Sequence, residues 1–462
     1  MGDRDYETDL IVIGAGLAGL VAANVAAEQG LHVFLLEKQS NTGGSSALSG
    51  GCLAFAGTDL QDRLNIEDSS ERLFNDLREV GKFDNDERLV RLYTDNQLAT
   101  YYWLKAKGVL FGQELEASSG QSVPRSHNVD PADMIRVLTA HAEQHPNIDI
   151  VFNARTLRLL TSDDGQVAGV QYERDMSSVF LYAAHGVLLT SGGFCRNPDL
   201  VHRYAPQYDD AICIGGEGNV GDGLRMALKL GADTSDMAYI KGTYGKHPTD
   251  HTNHHSMLAV YKGAIAINQL GRRFVDESIS YKLLGDALIQ QPYGASFQIF
   301  DQRIMGSGDN RFRILDFERR HEAGLMYEAN SLEALAEQIE VPADELIRTV
   351  QQYNQAVEDR FDPEFGRTAL VQGHGALVKI DQAPFYAYPS SVAVFGTYCG
   401  LKVNEQLQVV DVFNEPIEGL YAAGEVVGGL HGAAYMTGSA LGKAAIFGRM
   451  AALQCARMIS QD

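Results

Sequence analysis

Apolar and polar positions alternate in blocks that predict the architecture before any single residue does. Leu10 to Ile13 is an unbroken apolar run suited to a buried parallel strand. An Ala-rich stretch with helical spacing follows to about Gln29, and Gly30 stands where a C-cap is expected. HVFLLEK then returns to a short apolar strand. Near the other end, GLYAAGE reads as a buried strand ending in Glu425, and SALGKAAIFGRMAALQCARMI has apolar positions at helical spacing. Between the ends, SLEALAEQIEVPADELIRTVQQYNQAV predicts two helices broken at Pro342.

The junction after the first strand carries chemistry. Gly14, Gly16 and Gly19 have G-x-G-x-x-G spacing, and Glu37 closes the second strand. Gly14 permits a tight turn, Gly16 lets a pyrophosphate approach the backbone, and Gly19 lets helix pack on strand. A helix N-terminus offers unpaired N–H groups to phosphates. Glu37 is placed to accept hydrogen bonds from ribose hydroxyls. Strand, loop, helix, strand and acid in this order predict dinucleotide binding.

The next segment, QSNTGGSSALSGG, is a second glycine-rich loop. It resembles the second nucleotide loop of the flavoprotein superfamily that includes fumarate reductases, succinate dehydrogenases and 3-ketosteroid dehydrogenases. The matching residues are Gly43, Gly44, Ser45, Ser46, Gly50 and Gly51. The resemblance implies FAD, and the lack of a linking histidine in this loop implies non-covalent FAD. It extends to GVLLTSGGF, with Ser191 and Gly192, and to the Gly221–Asp222 turn before an amphipathic helix. It also extends to Ala154 in VFNARTL, at a position that contacts adenine, and to Gly424 and Glu425 near the C-terminus. Ala18 and Lys38 belong to the first nucleotide motif. Ser439, Ala440 and Leu441 open the last helix, whose N-terminus the resemblance aims at the flavin pyrimidine edge. The implied fold is α/β: a discontinuous Rossmann-type FAD domain over about 1–240 and 385–462, with an inserted α+β cap over about 241–384.

Composition narrows the function. With 38 basic and 60 acidic residues the formal charge is −22, which disfavours nucleic-acid binding through a basic face. The five cysteines form no CxxC, so no disulfide framework or zinc ribbon is expected. His247, His251, His254 and His255 lack ligand partners at metal spacing, and no metal is expected. No secretory signal and no membrane span are read from the chain, so a cytoplasmic location is the default.

RRFVDESISY ends in Tyr281. Fumarate reductases carry, after a similar motif, an arginine that delivers the proton. A second arginine, which clamps the substrate carboxylate, corresponds to Tyr435 in HGAAYMTG, and a substrate-binding histidine corresponds to Gly396. A dicarboxylate site needs such cations. The 3-ketosteroid dehydrogenases and related desaturases of cyclic ketones carry tyrosine at both positions, and this chain is closest to that branch. The resemblance implies that Tyr281 takes the proton α to a ketone while flavin takes the β hydride. Tyr435, with the N–H of Gly438 or Ser439, would hold the carbonyl oxygen. An ordinary phenol has a pKa of about 10, so Tyr281 needs a partner; Tyr101 and Tyr102 are the candidates. The expected activity is desaturation of a cyclic ketone, a 3-ketosteroid or a smaller oxocyclohexane whose carboxylate Lys262 or Arg125 could meet. The acceptor would be external, oxygen or a quinone-like molecule. Two alternatives stand: an ene-reductase of activated alkenes, and a non-catalytic FAD-binding redox subunit.

Overall fold

The apolar run Leu10–Ile13 becomes an inner strand of a six-stranded sheet. Val33–Leu36 and then Ile148–Val151 lie parallel on one side, and Val187–Leu189 and Pro416–Ala422 lie parallel on the other. Gln408–Val410 closes the edge antiparallel. The chain therefore reverses its winding between Leu10–Ile13 and Val187–Leu189. At such a switch point the carboxyl ends of the strands diverge and leave a crevice. Thr190 spans it, its Oγ1 donating toward the carbonyls of Ile13 and Gly14 at 2.9 and 2.8 Å. The structure, a computed structural model, describes residues 8–240, 242–249, 255–373 and 375–459.

Two helices cover this sheet. Leu17–Glu28 follows the first strand, and Ser439–Ile459 ends the described chain. They meet closely where a Cβ on Gly448 would lie 2.4 Å from the Ala18 carbonyl oxygen. The first helix is buried along nearly its whole length, which explains its Ala-rich composition: small side chains let it sit between the sheet and the last helix.

A second sheet is built on the long strand Phe385–Val394. Ser296–Asp301, Thr243–Lys246 and Tyr327–Ala329 pair with it antiparallel, and Ile212–Cys213 parallel. Ile265–Asn268 pairs in turn with Ser296–Asp301. The two helices expected around Pro342 are Leu332–Gln338 and Ala343–Asp359. The RRFVDE segment is pinned beneath the sheet by Glu277, which has no exposed surface. Its carboxylate accepts from Arg273 at 2.7 and 2.9 Å, from Arg367 at 3.1 Å and from the Ala266 N–H at 3.1 Å. Those two guanidiniums hold the carboxyl below its usual range despite burial. That fixed segment delivers Ser280, whose side chain caps the helix Tyr281–Ile289 by accepting from the Lys282 N–H.

Candidate active site

A cavity of about 1080 Å³ opens at the switch point and reaches under the second sheet. Gly14, Gly16, Ala18, Glu37 and Lys38 line it, as do Gly44, Ser45, Ser46, Gly50, Gly51 and Ala154. So do Ser191, Gly192, Asp222, Glu425, Gly438, Ala440 and Leu441. Gly19, Gly43, Gly221, Gly424 and Ser439 stand behind the wall and shape it. Gly19 shows how: a Cβ there would fall 1.9 Å from the Gly14 carbonyl oxygen. Ser439 spends its hydroxyl on the Met436 carbonyl, at 2.7 Å, and on His431, at 3.3 Å, and its N–H on the Met436 carbonyl.

Three observations test whether this crevice suits FAD. Gly14 has φ +104°, and its Cβ would strike the Thr190 carbonyl at 2.7 Å, so the protein itself demands that glycine. Gly16 is different. Its φ is −73°, and a Cβ there would meet nothing closer than 3.8 Å. Neither backbone nor neighbour requires a glycine, so the space over it suits a close-lying ligand. Second, Gly16 brings no side chain to cap the helix Leu17–Glu28; the Ser46 hydroxyl accepts the Leu17 N–H at 3.2 Å, and the rest of the positive helix end faces the cavity. Third, Thr156 Oγ1, Ser191 Oγ and His431 Nε2 are buried without a partner, and all three residues line the cavity. Buried polar atoms are normally paired, and a dinucleotide has the acceptors and donors to pair these. Glu37 fits the ribose role: it already takes the Ala15 and Gln39 N–H groups, each at 2.8 Å, which orients its carboxylate. Lys38 is committed to Asp222 at 2.7 Å.

The same cavity holds the aromatic residues. Tyr281 and Tyr435 face each other edge-on with centroids 6.2 Å apart, and Tyr398 lies 4.8 Å from Tyr435. His431 completes the wall at 5.5 Å from Tyr435. The Gly438 N–H donates to the Tyr435 phenol oxygen at 3.2 Å. It therefore orients that phenol, where a carbonyl donor acting directly had been expected. The Ser439 N–H is used up by its own turn. Tyr281 is held by its backbone, whose N–H donates to the Tyr261 hydroxyl at 2.7 Å. Burial pushes the Tyr281 phenol well above its usual range, with the neighbouring Tyr435 and Tyr398 adding to the shift. Tyr435 is raised as well, chiefly by burial. Burial also raises Glu425, against hydrogen bonds from the Thr397 N–H at 3.0 Å and Asn219 at 2.9 Å.

Two expectations are corrected. Tyr102 is 45% exposed, packs edge-on against Tyr101 and lies outside the cavity lining. Tyr101 is turned away too, its hydroxyl donating to Asp59 at 2.8 Å, and burial together with that carboxylate raises it. Neither can tune Tyr281. Arg125 is buried against Asp68 and Asp76, at 2.8 and 3.0 Å, and is not free for a substrate carboxylate. Lys262 does line the cavity. Of the histidines, His247 packs on Tyr388 and bonds Thr249, while His251 and His254 lie outside the described residues. Among the described residues no group of three or more His, Cys, Asp or Glu could hold a metal. No described helix is long and apolar enough to cross a membrane.

Sequence reasoning missed Lys282, Lys443, Tyr398 and His431. Lys443 is buried in the first turns of the last helix, donates to the Val427 carbonyl at 2.8 Å and is pushed down to about 8 by burial. His431 is held neutral by burial, with Lys443 and Lys282 adding to the shift. The sequence signals were a lysine directly after Tyr281 and a histidine heading HGAAYMTG, and no helical or strand period could show that they turn inward.

Comparisons agree with this geometry. A family model described as an FAD binding domain matches residues 9–441. A vinyl phenol reductase of Lactiplantibacillus plantarum is 31% identical over 450 residues, spanning 90% of this chain and 89% of its own. The open conformation of a flavocytochrome c3 fumarate reductase superposes with a TM-score of 0.81 at 27% identity, over 98% of this chain and 79% of that one. A 3-ketosteroid-Δ4-(5α)-dehydrogenase of Rhodococcus jostii RHA1 shares the fold, with a TM-score of 0.81 at 24% identity over 99% and 98% of the two chains.

Proposed function

The chain belongs to the FAD-binding domain family of flavoprotein oxidoreductases, and from that premise we propose that it reduces an alkene conjugated to a carbonyl group. The observation that carries this reading is the facing pair Tyr281 and Tyr435 in one cavity with the glycine crevice, with the Tyr281 phenol kept protonated by burial. FAD, when bound, supplies hydride exchange with the β carbon. Tyr435 donates its phenol hydrogen to the substrate carbonyl oxygen, while the Gly438 N–H holds the phenol oxygen in place. Enolate charge is thereby stabilised where it develops. Tyr281 gives its proton to the α carbon as general acid. A protonated phenol suits that direction. The relatives named for fumarate, urocanate and acrylate favour it too, since each of those alkenes is conjugated to a carboxyl group.

Desaturation of a cyclic ketone is the second reading. It uses the same residues in reverse, and the tyrosines at both arginine positions favour it. In either direction the unit expected over about 241–384, extended by the strand Phe385–Val394 on which its sheet is built, acts as the cap that supplies Tyr281, FAD is held without a covalent bond, and the electron partner is external. The missing arginines argue against fumarate.

Anaerobic half-reactions separate the readings. Reduced protein mixed with 2-cyclohexenone should return to the oxidised flavin spectrum. Oxidised protein mixed with cyclohexanone should bleach if desaturation is the working direction. Neither change, with FAD fully bound, would remove both.

A further inference from the structure

Lys282 occupies a position that ordinary stability rules disfavour. It is 1% exposed, and it stands in the first turn of the helix Tyr281–Ile289, where the backbone dipole is positive. Among the described residues no carboxylate lies within ion-pair distance of its ammonium. Its Nζ donates to the Thr243 hydroxyl and lies 4.6 Å from the Tyr398 ring centroid, 5.3 Å from that of Tyr281 and 5.8 Å from that of Tyr435. A buried unpaired cation at a positive helix end is costly, and such groups gather where charge is used. Methionine or leucine would fill the space among three rings without that cost.

Resting on the reading that Tyr281 exchanges the α proton, we propose that Lys282 is a positioning residue that holds the negative charge left on the Tyr281 phenol. When the phenol O–H bond breaks and the α C–H bond forms, the electron pair stays on the phenol oxygen. The ammonium, 5.3 Å from the centroid of the same ring, supplies the opposite charge inside a low-dielectric wall until a proton from solvent restores the phenol. The three rings keep the ammonium in place, since cations sit favourably over aromatic faces. This is the partner that the sequence pointed to Tyr101 or Tyr102 to supply.

The groups facing the ammonium are Tyr281 and Asp286 on its own helix, Tyr398 and Glu425, and Tyr435 and His431. Asp286 accepts from the Tyr208 hydroxyl. Burial lowers Lys282 to about 7. Its positive charge is therefore complete below that pH and lost as pH rises through it.

The test uses FAD-loaded protein, reduced anaerobically and mixed with 2-cyclohexenone across pH 6 to 9 (about the range that brackets the Lys282 transition). The wild-type rate should fall as pH rises through about 7. Lys282→Met should react on the order of 10²-fold more slowly, the effect of one charge about 5 Å away at an effective dielectric of about 20. It should lose the inflection and leave the KM little changed. Methylamine should restore part of the rate to Lys282→Ala. A readout without turnover is 4-nitrophenol, whose ionised fraction when bound should drop in Lys282→Met. Should Lys282→Met fail to fold, Thr243→Val, which frees the ammonium from its hydrogen bond, takes its place and should lower the rate. A Lys282→Met protein with the wild-type rate or pH profile, or with equal ionisation of bound 4-nitrophenol, overturns the proposal. Full activity in Tyr281→Phe instead overturns the function on which it rests.

Discussion

At the residue scale the proposed mechanism divides the work between the two phenols, and their substitutions should leave different kinetic signatures. Tyr281→Phe keeps the ring beside Tyr435 and removes the proton. Folding and FAD content should survive, and the half-reaction with 2-cyclohexenone should slow by roughly 10²–10⁴-fold, the scale of positioned acid–base catalysis. Tyr435→Phe removes the donor to the carbonyl oxygen. Its rate should fall by roughly 10²–10³-fold, and the KM for the same enone should rise with it. Stopped-flow traces of flavin reoxidation measure both. Wild-type rates in both variants would mean that the rings act only by packing. The two positions were legible in the sequence because each sits in a recognisable motif. Lys282 and His431 lie in or beside the same two motifs, but spacing along the chain does not show which way a side chain turns, and Tyr398 carries no motif of its own.

At the element scale the glycine turn separates binding from folding. Gly19 is required by the close approach of the helix Leu17–Glu28 to Gly14. Gly16 is not required by any protein contact. Gly16→Val should therefore fold, with a native circular-dichroism spectrum, and purify colourless, because the side chain enters the space left for the cofactor. Gly19→Val should fail to fold. A Gly16→Val protein with full FAD content would contradict the assignment of that space.

The Glu277 cluster is the corresponding element of the second sheet. Its carboxyl is depressed, so its stabilisation is complete above the unfolded value of about 4.3 and is lost as pH falls through the lower folded value. Glu277→Gln leaves the buried Arg367 without its carboxylate and Arg273 with Asp362 alone, and should cost about 3–5 kcal/mol. Thermal melts at neutral pH should show that loss. Near pH 4 (about the unfolded value) the gap between variant and wild type should narrow.

At the scale of the whole molecule, the cavity is a joint product of the two sheets, and the proposed function places substrate and cofactor in it together. Acid precipitation should release intact FAD into the supernatant, because QSNTGGSSALSGG contains no histidine to link it. Flavin that pellets with the chain would contradict this. Fumarate with a reduced viologen donor should give a negligible rate, since the resemblance puts the neutral Tyr281 and Tyr435 at both arginine positions and Arg125 is committed to Asp68 and Asp76.

The amino-acid sequence by itself determined the nucleotide crevice. Its signals are local: an apolar run makes the strand, glycine spacing makes the turn, and both lie within forty or so consecutive residues. The helix break at Pro342 and the closing helix were determined in the same way. Only the tertiary structure decided what surrounds Tyr281 and Tyr435. Tyr102 and Arg125 looked available because sequence shows residue type without direction. Packing turned Tyr102 outward, gave Arg125 to two aspartates, and turned Lys282 inward among three rings from separate segments. Burial and long-range contact set the charge state of a side chain, and neither is written in the spacing of neighbours along the chain.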